Sequence, residues 1–206
     1  MLQRTVRLNE NITTSLNPIW RFGGNTCHCP LLNNPQLLEH IRQVREQLGF
    51  EFVRCHDTLG DAMGTLDDNG DFNFDQLRQA CANLLDIGVK PFLELSSMPA
   101  SMSRGDATLT FYRFRASPPS DFQAWGRLVR GAIGALTQTF GYEEMATWYF
   151  EVWNEPNILF WDGTQAEYFK LYDVAAAQVK AVCDDYRIGG PATARADWIE
   201  AFCQHC

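Results

Sequence analysis

Trp148-Tyr149-Phe150-Glu151-Val152-Trp153-Asn154-Glu155-Pro156-Asn157 reads as a buried strand that stops at a carboxylic acid. Apolar and aromatic residues run up to Trp153, and Pro156 bars continuation of the hydrogen-bonded ladder. Asn154 and Glu155 are therefore presented at the strand's C-terminal end, where parallel α/β proteins place their chemistry. A carboxyl group held beside an indole and an amide suits a general acid.

Working outward, strand-like and helix-like segments alternate. Trp20-Arg21-Phe22-Gly23-Gly24 is the first strand candidate, and Leu37, Leu38, Ile41, Val44 and Leu48 follow at helical spacing after Pro35. Phe50-Glu51-Phe52-Val53-Arg54-Cys55-His56 is the second strand, with Leu77, Ala80, Leu84 and Leu85 marking the next helix. Val89-Lys90-Pro91-Phe92-Leu93-Glu94-Leu95 is the third, with Pro91 near its start, where it is tolerated. Phe122, Trp125, Leu128, Val129, Ile133 and Leu136 predict a third helix before the Trp153 strand. Thr164-Gln165-Ala166-Glu167 is a capping box that opens a fourth helix through Tyr168, Leu171, Tyr172, Ala175 and Val179. Arg187-Ile188-Gly189-Gly190-Pro191 is a fifth strand, and Asp197-Trp198-Ile199-Glu200 begins another helix.

Strand, helix and strand at this spacing imply parallel βαβ units in one domain over residues 1–206. Both the doubly wound sheet and the eight-stranded barrel use such units. No G-x-G-x-x-G follows the first strand, which takes weight from the dinucleotide-binding version.

Apolar residues make up 46% of the 206 and charged residues 20%, so the chain is globular. A formal charge of −8 argues against nucleic acid as a partner, because phosphate binding needs a basic face. No apolar run approaches the ~20 residues of a membrane span. Residues 1–8 lack the apolar core of a signal peptide, so a cytoplasmic protein is expected.

The seven cysteines are an odd count in a chain with a large core, which speaks against a disulfide framework. Cys81 and Cys183 fall on helical patterns as small apolar fillers. Cys27-His28-Cys29 with Cys203-Gln204-His205-Cys206 can be drawn as a zinc site, but the first pair is too closely spaced, and free thiols are expected. Asp67-Asp68-Asn69-Gly70-Asp71 imitates a calcium loop, yet the register puts Thr65 and Gln76 where carboxylates belong. Asn69-Gly70 reads instead as a tight hairpin turn.

With these residues in view, the chain resembles glycoside hydrolase family 39, the β-xylosidases of a retaining clan built on the (β/α)₈ barrel. The stretch from Trp148 to Asn157 carries the family's acid/base motif. Phe160-Trp161 and Tyr168-Phe169-Lys170-Leu171-Tyr172 match the segment after it. Val53-Arg54-Cys55-His56 with Asp61 and Met63 resembles the second-strand motif. Gly88 to Leu95, then Met98-Pro99, resembles the third, and Gly189-Gly190-Pro191-Ala192 the fifth. There are departures. Gly23-Gly24-Asn25-Thr26 lacks the family's usual Gly-Arg-Ala ending, and Cys55 sits where an aromatic is common. About five βα units are visible, whereas a barrel takes eight and typically ~250 residues. The expectation is a partial (β/α)₈ barrel that this chain alone does not close.

The resemblance implies Glu155 as general acid/base, Asn154 on the sugar's 2-hydroxyl, Arg54 orienting the nucleophile, His56 lining the sugar subsite and Trp161 offering a flat apolar face. It implies a Glu nucleophile on a seventh strand, and none of this chain's carboxylates is assigned that role. Glu94 and Glu151 read as buried ion-pair partners of Arg54 or Lys90, and Asp57 and Asp61 as loop-structuring. The implied reaction is retaining hydrolysis of a β-linked xyloside or related oligosaccharide, without metal or organic cofactor. The rivals are a fragment inactive by itself, a non-catalytic carbohydrate-binding module, and, among enzymes, an α-L-iduronidase-like specificity. Two open sheet edges would leave room for oligomers.

Overall fold

The structure is a computed structural model that describes residues 17–67 and 69–206, the side chain of Cys27 excepted. The readings made on residues 1–8 and on Asp68 lie outside the described residues. In chain order the elements are β1 (Gly23–His28), α1 (Pro35–Leu48), β2 (Phe52–His56), α2 (Asp75–Asp86), β3 (Lys90–Leu95), a hairpin of β4 (Thr108–Leu109) and β5 (Phe114–Arg115), α3 (Phe122–Phe140), a short α4 (Tyr142–Met145), β6 (Tyr149–Val152), α5 (Gln165–Val182), β7 (Arg187–Gly189) and α6 (Ile199–His205). Five strands form one parallel sheet in the order β1-β2-β3-β6-β7. β1 and β7 are its edges, so the sheet is open.

Strand register sorts the side chains. Arg54 lies beside Phe92, Phe92 beside Tyr149, and Glu94 beside Glu151. Because side chains alternate along a strand, Phe52, Arg54, Phe92, Glu94, Tyr149 and Glu151 share one face. Val53, Cys55, Leu93, Leu95, Phe150 and Val152 share the other, and all six are buried. That second face is the core. The helices pack against it through Leu77, Leu84, Trp125, Val129, Ile133, Leu171 and Val179. α3 and α5 approach closely at Gly126, where a Cβ would stand 2.9 Å from Val174 Cγ1.

The helix ends follow local chemistry. Asn34 accepts from the Gln36 N–H (2.8 Å) ahead of Pro35, and Asp121 accepts from the Gln123 N–H (2.8 Å). The expected capping box of Thr164 and Glu167 forms in both directions. Asn69-Gly70 lies in a turn between the antiparallel pair Leu66 and Phe72, and Asp67 accepts from the Asn69 and Asp71 N–H groups.

The first strand departs from expectation. Ile19–Phe22 form a 3₁₀ turn, and the strand begins only at Gly23. A Cβ on Gly23 would lie 2.1 Å from the Phe52 carbonyl oxygen, so β1 can approach β2 only with glycine there. The apolar run ahead of it is not buried as a strand. Ile19 is 76% exposed, and Phe22 stacks on Phe52 with centroids 5.1 Å apart.

Candidate active site

Trp153 explains how β6 presents its acid. By strand alternation it should share the face of Tyr149 and Glu151. Its φ of 70° turns the chain into the left-handed region instead. The indole then lies in the core against Phe114, Trp125 and Trp161, with Nε1–H donating to the Phe160 carbonyl at 2.7 Å. Asn154 takes the inward direction. Glu155 is left-handed too, at φ 43°. Two such non-glycine residues cost on the order of 1–2 kcal/mol each, which the buried indole offsets. The turn is also tied to the chain after β7. The Glu155 N–H donates to the Ala192 carbonyl (2.9 Å), and Asn157 exchanges hydrogen bonds with the Ala194 backbone (2.8 and 2.9 Å).

Arg54 is the hub beneath that turn. Its Nε–H donates to Glu151 at 2.7 Å, one terminal nitrogen donates to Asn154 Oδ1 at 3.2 Å, and the same nitrogen pairs with Glu94. Lys90 donates to Thr147 instead and stands 3.9 Å from Glu144, so the buried pairing expected of Arg54 or Lys90 falls to Arg54. One guanidinium faces two carboxylates. Burial pushes the Glu94 carboxyl up to about 8, with Arg54 opposing the rise and Glu151 adding to it. Burial raises Glu151 as well, against the pull of Arg54. For Arg54, burial pulls downward, but Glu94 and Glu151 outweigh it and the guanidinium stays charged. The cluster therefore tends to hold one proton between its two acids. Glu155 sits above it, partly buried, and among the described residues its carboxylate has no hydrogen-bond or ion-pair partner.

His56 lies on the Arg54 face of β2, buried, with Nε2 2.7 Å from the Tyr112 hydroxyl. Burial, then the Arg54 charge and His28, hold its imidazole down at about 4, so it is neutral at pH 7. Asp57 structures its loop as expected. It accepts from the Ser97 hydroxyl, and its second oxygen is 3.3 Å from His28 Nε2. Burial pushes its carboxyl up to about 6. Asp61 accepts from the Ala100 N–H at 2.9 Å.

Trp161 does not fit the role expected of it. It is 5% exposed, its Nε1–H donates to the Thr164 carbonyl, and it packs edge-on against Trp153 and Tyr168. The loop after Glu155 folds back and uses the indole as a plug, leaving no open face for a sugar. Sequence reasoning missed the β4–β5 hairpin and with it Tyr112 and Phe114. The alternation through Thr108-Leu109-Thr110-Phe111 and Phe114-Arg115 was the available signal. Phe114 packs against both His56 and Trp153 and joins the two halves of the site.

Cys81 is a buried filler of α2, Cys183 is partly exposed at the end of α5, and Cys29 and Cys55 are buried free thiols. Cys29 follows one sheet edge, whereas α6, with Cys203 and Cys206, follows the other. Among the described residues no three His, Cys, Asp or Glu side chains stand close enough to hold a metal.

The sequence profile described as Glycosyl hydrolases family 39 matches residues 5–206. The chain is 38% identical over 197 residues to a β-xylosidase of Caldicellulosiruptor saccharolyticus, covering 93% of this chain and 40% of that one. It is 32% identical over 214 residues to a β-xylosidase of Geobacillus stearothermophilus, covering 98% and 42%. Among solved structures it superposes on a monomeric β-xylosidase from Caulobacter crescentus CB15 with a TM-score of 0.86 and 34% identity, covering 92% of this chain and 39% of that one. The chain thus spans about two fifths of the length of each.

Proposed function

The chain belongs to glycosyl hydrolase family 39 and forms the N-terminal part of its barrel, and we propose on that footing that the Glu155 mouth is the acid/base half of a retaining glycosidase site for β-linked xylosides. Arg54 carries the reading. It gathers Asn154, Glu94 and Glu151 under the turn that presents Glu155. Glu155 protonates the glycosidic oxygen as the leaving group departs, then takes a proton from the water that releases the sugar. Asn154, steadied by Arg54, meets the 2-hydroxyl, a contact that strengthens in the transition state.

A retaining mechanism needs a second carboxyl about 5–5.5 Å from the first. Glu94 and Glu151 are both committed to Arg54, and family resemblance assigns the nucleophile to a seventh strand. Arg54 is then placed to orient that group. His56, neutral and turned to Tyr112, lines the sugar side of the mouth. That two curated relatives at 32–38% identity are β-xylosidases supports the choice of sugar.

The test is hydrolysis of 4-nitrophenyl β-D-xyloside by the protein at its natural length, followed by proton NMR. Xylose released first as the β anomer is expected. First release as the α anomer would contradict retention. Turnover of an α-L-iduronide in place of the xyloside would move the specificity, and sugar binding with no turnover of either would favour a binding module.

A further inference from the structure

β6 and β7 pair in parallel from Tyr149 beside Arg187 to Glu151 beside Gly189. Past the strand ends the pairing resumes with a substitute. The Glu155 N–H donates to the Ala192 carbonyl at 2.9 Å. In a regular parallel ladder the Glu155 carbonyl would then accept from the Ala194 N–H. The turn denies that rung, because the Glu155 carbonyl accepts from the Ile158 N–H (3.1 Å). Pro156, next along the chain, has no N–H to offer. The Asn157 side chain takes the rung over. Its Oδ1 accepts from the Ala194 N–H at 2.8 Å, and its Nδ2 donates to the Ala194 carbonyl at 2.9 Å. The same nitrogen meets Asp197 Oδ2 at 3.3 Å, so the amide's orientation is set by its partners.

Glu155 is thereby held from both sides. It is left-handed at φ 43°, a conformation that persists only where the surroundings impose it. Its own N–H is pinned to Ala192, Pro156 fixes the next φ, and Asn157 anchors the residue after that at two points. The aromatic core under the turn does not depend on this clamp. Trp153 packs against Phe114, Trp125 and Trp161 instead.

We propose that Asn157 is a positioning residue for the reaction: its clamp on Ala194 aims the Glu155 carboxyl at the glycosidic oxygen. The inference rests on the reading of Glu155 as the acid/base. It gives the loop after β7 a part in proton transfer without contact with the sugar. A general acid must lie within hydrogen-bond reach of the atom it protonates, and a misplacement of about 1 Å costs up to about 10²-fold in rate. The loss falls where a proton must be delivered and spares leaving groups that depart without one.

The test is kcat/KM of Asn157→Ala, in the protein at its natural length, on xylobiose and on 2,4-dinitrophenyl β-D-xyloside, with urea unfolding alongside. The sugar leaving group needs the proton, whereas dinitrophenolate does not. Asn157→Ala is expected to lose about 10–100-fold on xylobiose and less than about threefold on the dinitrophenyl xyloside. Ala194→Pro removes the bond to Oδ1 from the other partner, and the extended Thr193 (ψ 144°) suits the residue before a proline. The same split, smaller in size, is expected there, and this variant carries the test should Asn157→Ala not fold. Equal losses on the two substrates would mean that Asn157 only holds the fold, and would overturn the proposal. So would unchanged xylobiose turnover in either folded variant. Glu155→Ala separates the two readings. A split in Glu155→Ala without one in Asn157→Ala would sink the clamp alone. No split in Glu155→Ala would sink the reading of Glu155, and this inference with it.

Discussion

Glu94→Gln probes the charge cluster under Glu155 most sharply. Glu94 is fully buried between Arg54, Ser96 and Glu151, and its carboxyl is raised from 4.5 to about 8, chiefly by burial. It binds its proton more tightly in the folded than in the unfolded chain. Its contribution to stability is therefore fully present below about pH 4.5 and is lost as the pH rises through about 8. At roughly 1.4 kcal/mol per pH unit the rise is worth about 5 kcal/mol. Glu151 shares the guanidinium and titrates jointly, so about 2–4 kcal/mol is the expected observable. Glutamine keeps the shape and can still accept from Ser96, but it cannot ionise. Stabilities from urea unfolding should be nearly equal at pH 5, and the variant should gain about 2–4 kcal/mol on the wild type by pH 8.5. His56, lowered to about 4, contributes with the opposite sign at acid pH, and Asp57, raised to about 6, with the same sign. His56 acts alike in the two proteins and cancels in the difference, whereas the Asp57 charge helps to raise Glu94 and so belongs in part to the effect being measured. Parallel stability curves from pH 5 to 8.5, or a variant less stable at pH 8.5, would refute the reasoning.

Arg54→Met strips the cation from two buried carboxylates and should cost about 3–5 kcal/mol in urea unfolding at pH 7; a change under 1 kcal/mol would mean the pairs are not buried as described. Asn154→Ala should lower turnover of a xyloside about 10–100-fold while leaving its 2-deoxy analogue nearly unaffected, and equal losses on both would count against the 2-hydroxyl contact. The 206-residue polypeptide by itself should hydrolyse aryl xylosides negligibly, because Glu94 and Glu151 are held by Arg54. Robust turnover that Glu155→Gln abolishes would force a search for a nucleophile among Glu94, Glu151, Asp57 and Asp61.

What was legible in the sequence followed local rules. The capping box at Thr164 has one geometry, and the apolar runs of β2, β3 and β6 could be buried only as parallel strands beneath amphipathic helices. Arg54 was singled out through family resemblance, and the parallel register then made Glu94 and Glu151 its neighbours. The failures are tertiary. Trp20-Arg21-Phe22 looked like the start of a strand because periodicity cannot see that β1 needs Gly23 to approach β2. Trp161 looked like a sugar platform because nothing local shows the loop folding back onto Trp153. The left-handed turn at Trp153 reverses the direction that alternation assigns to Asn154, and only the surrounding aromatic core dictates it.

The measurement that bears most directly on the central claim is the leaving-group dependence of Glu155→Ala in the protein at its natural length. With xylobiose, whose leaving group needs a proton, turnover should fall about 10²–10⁴-fold. Attack on 4-nitrophenyl β-D-xyloside should be far less affected, and added azide, which needs no general base, should speed turnover and yield β-xylosyl azide. Xylobiose turnover at the wild-type rate would contradict Glu155 as the acid/base.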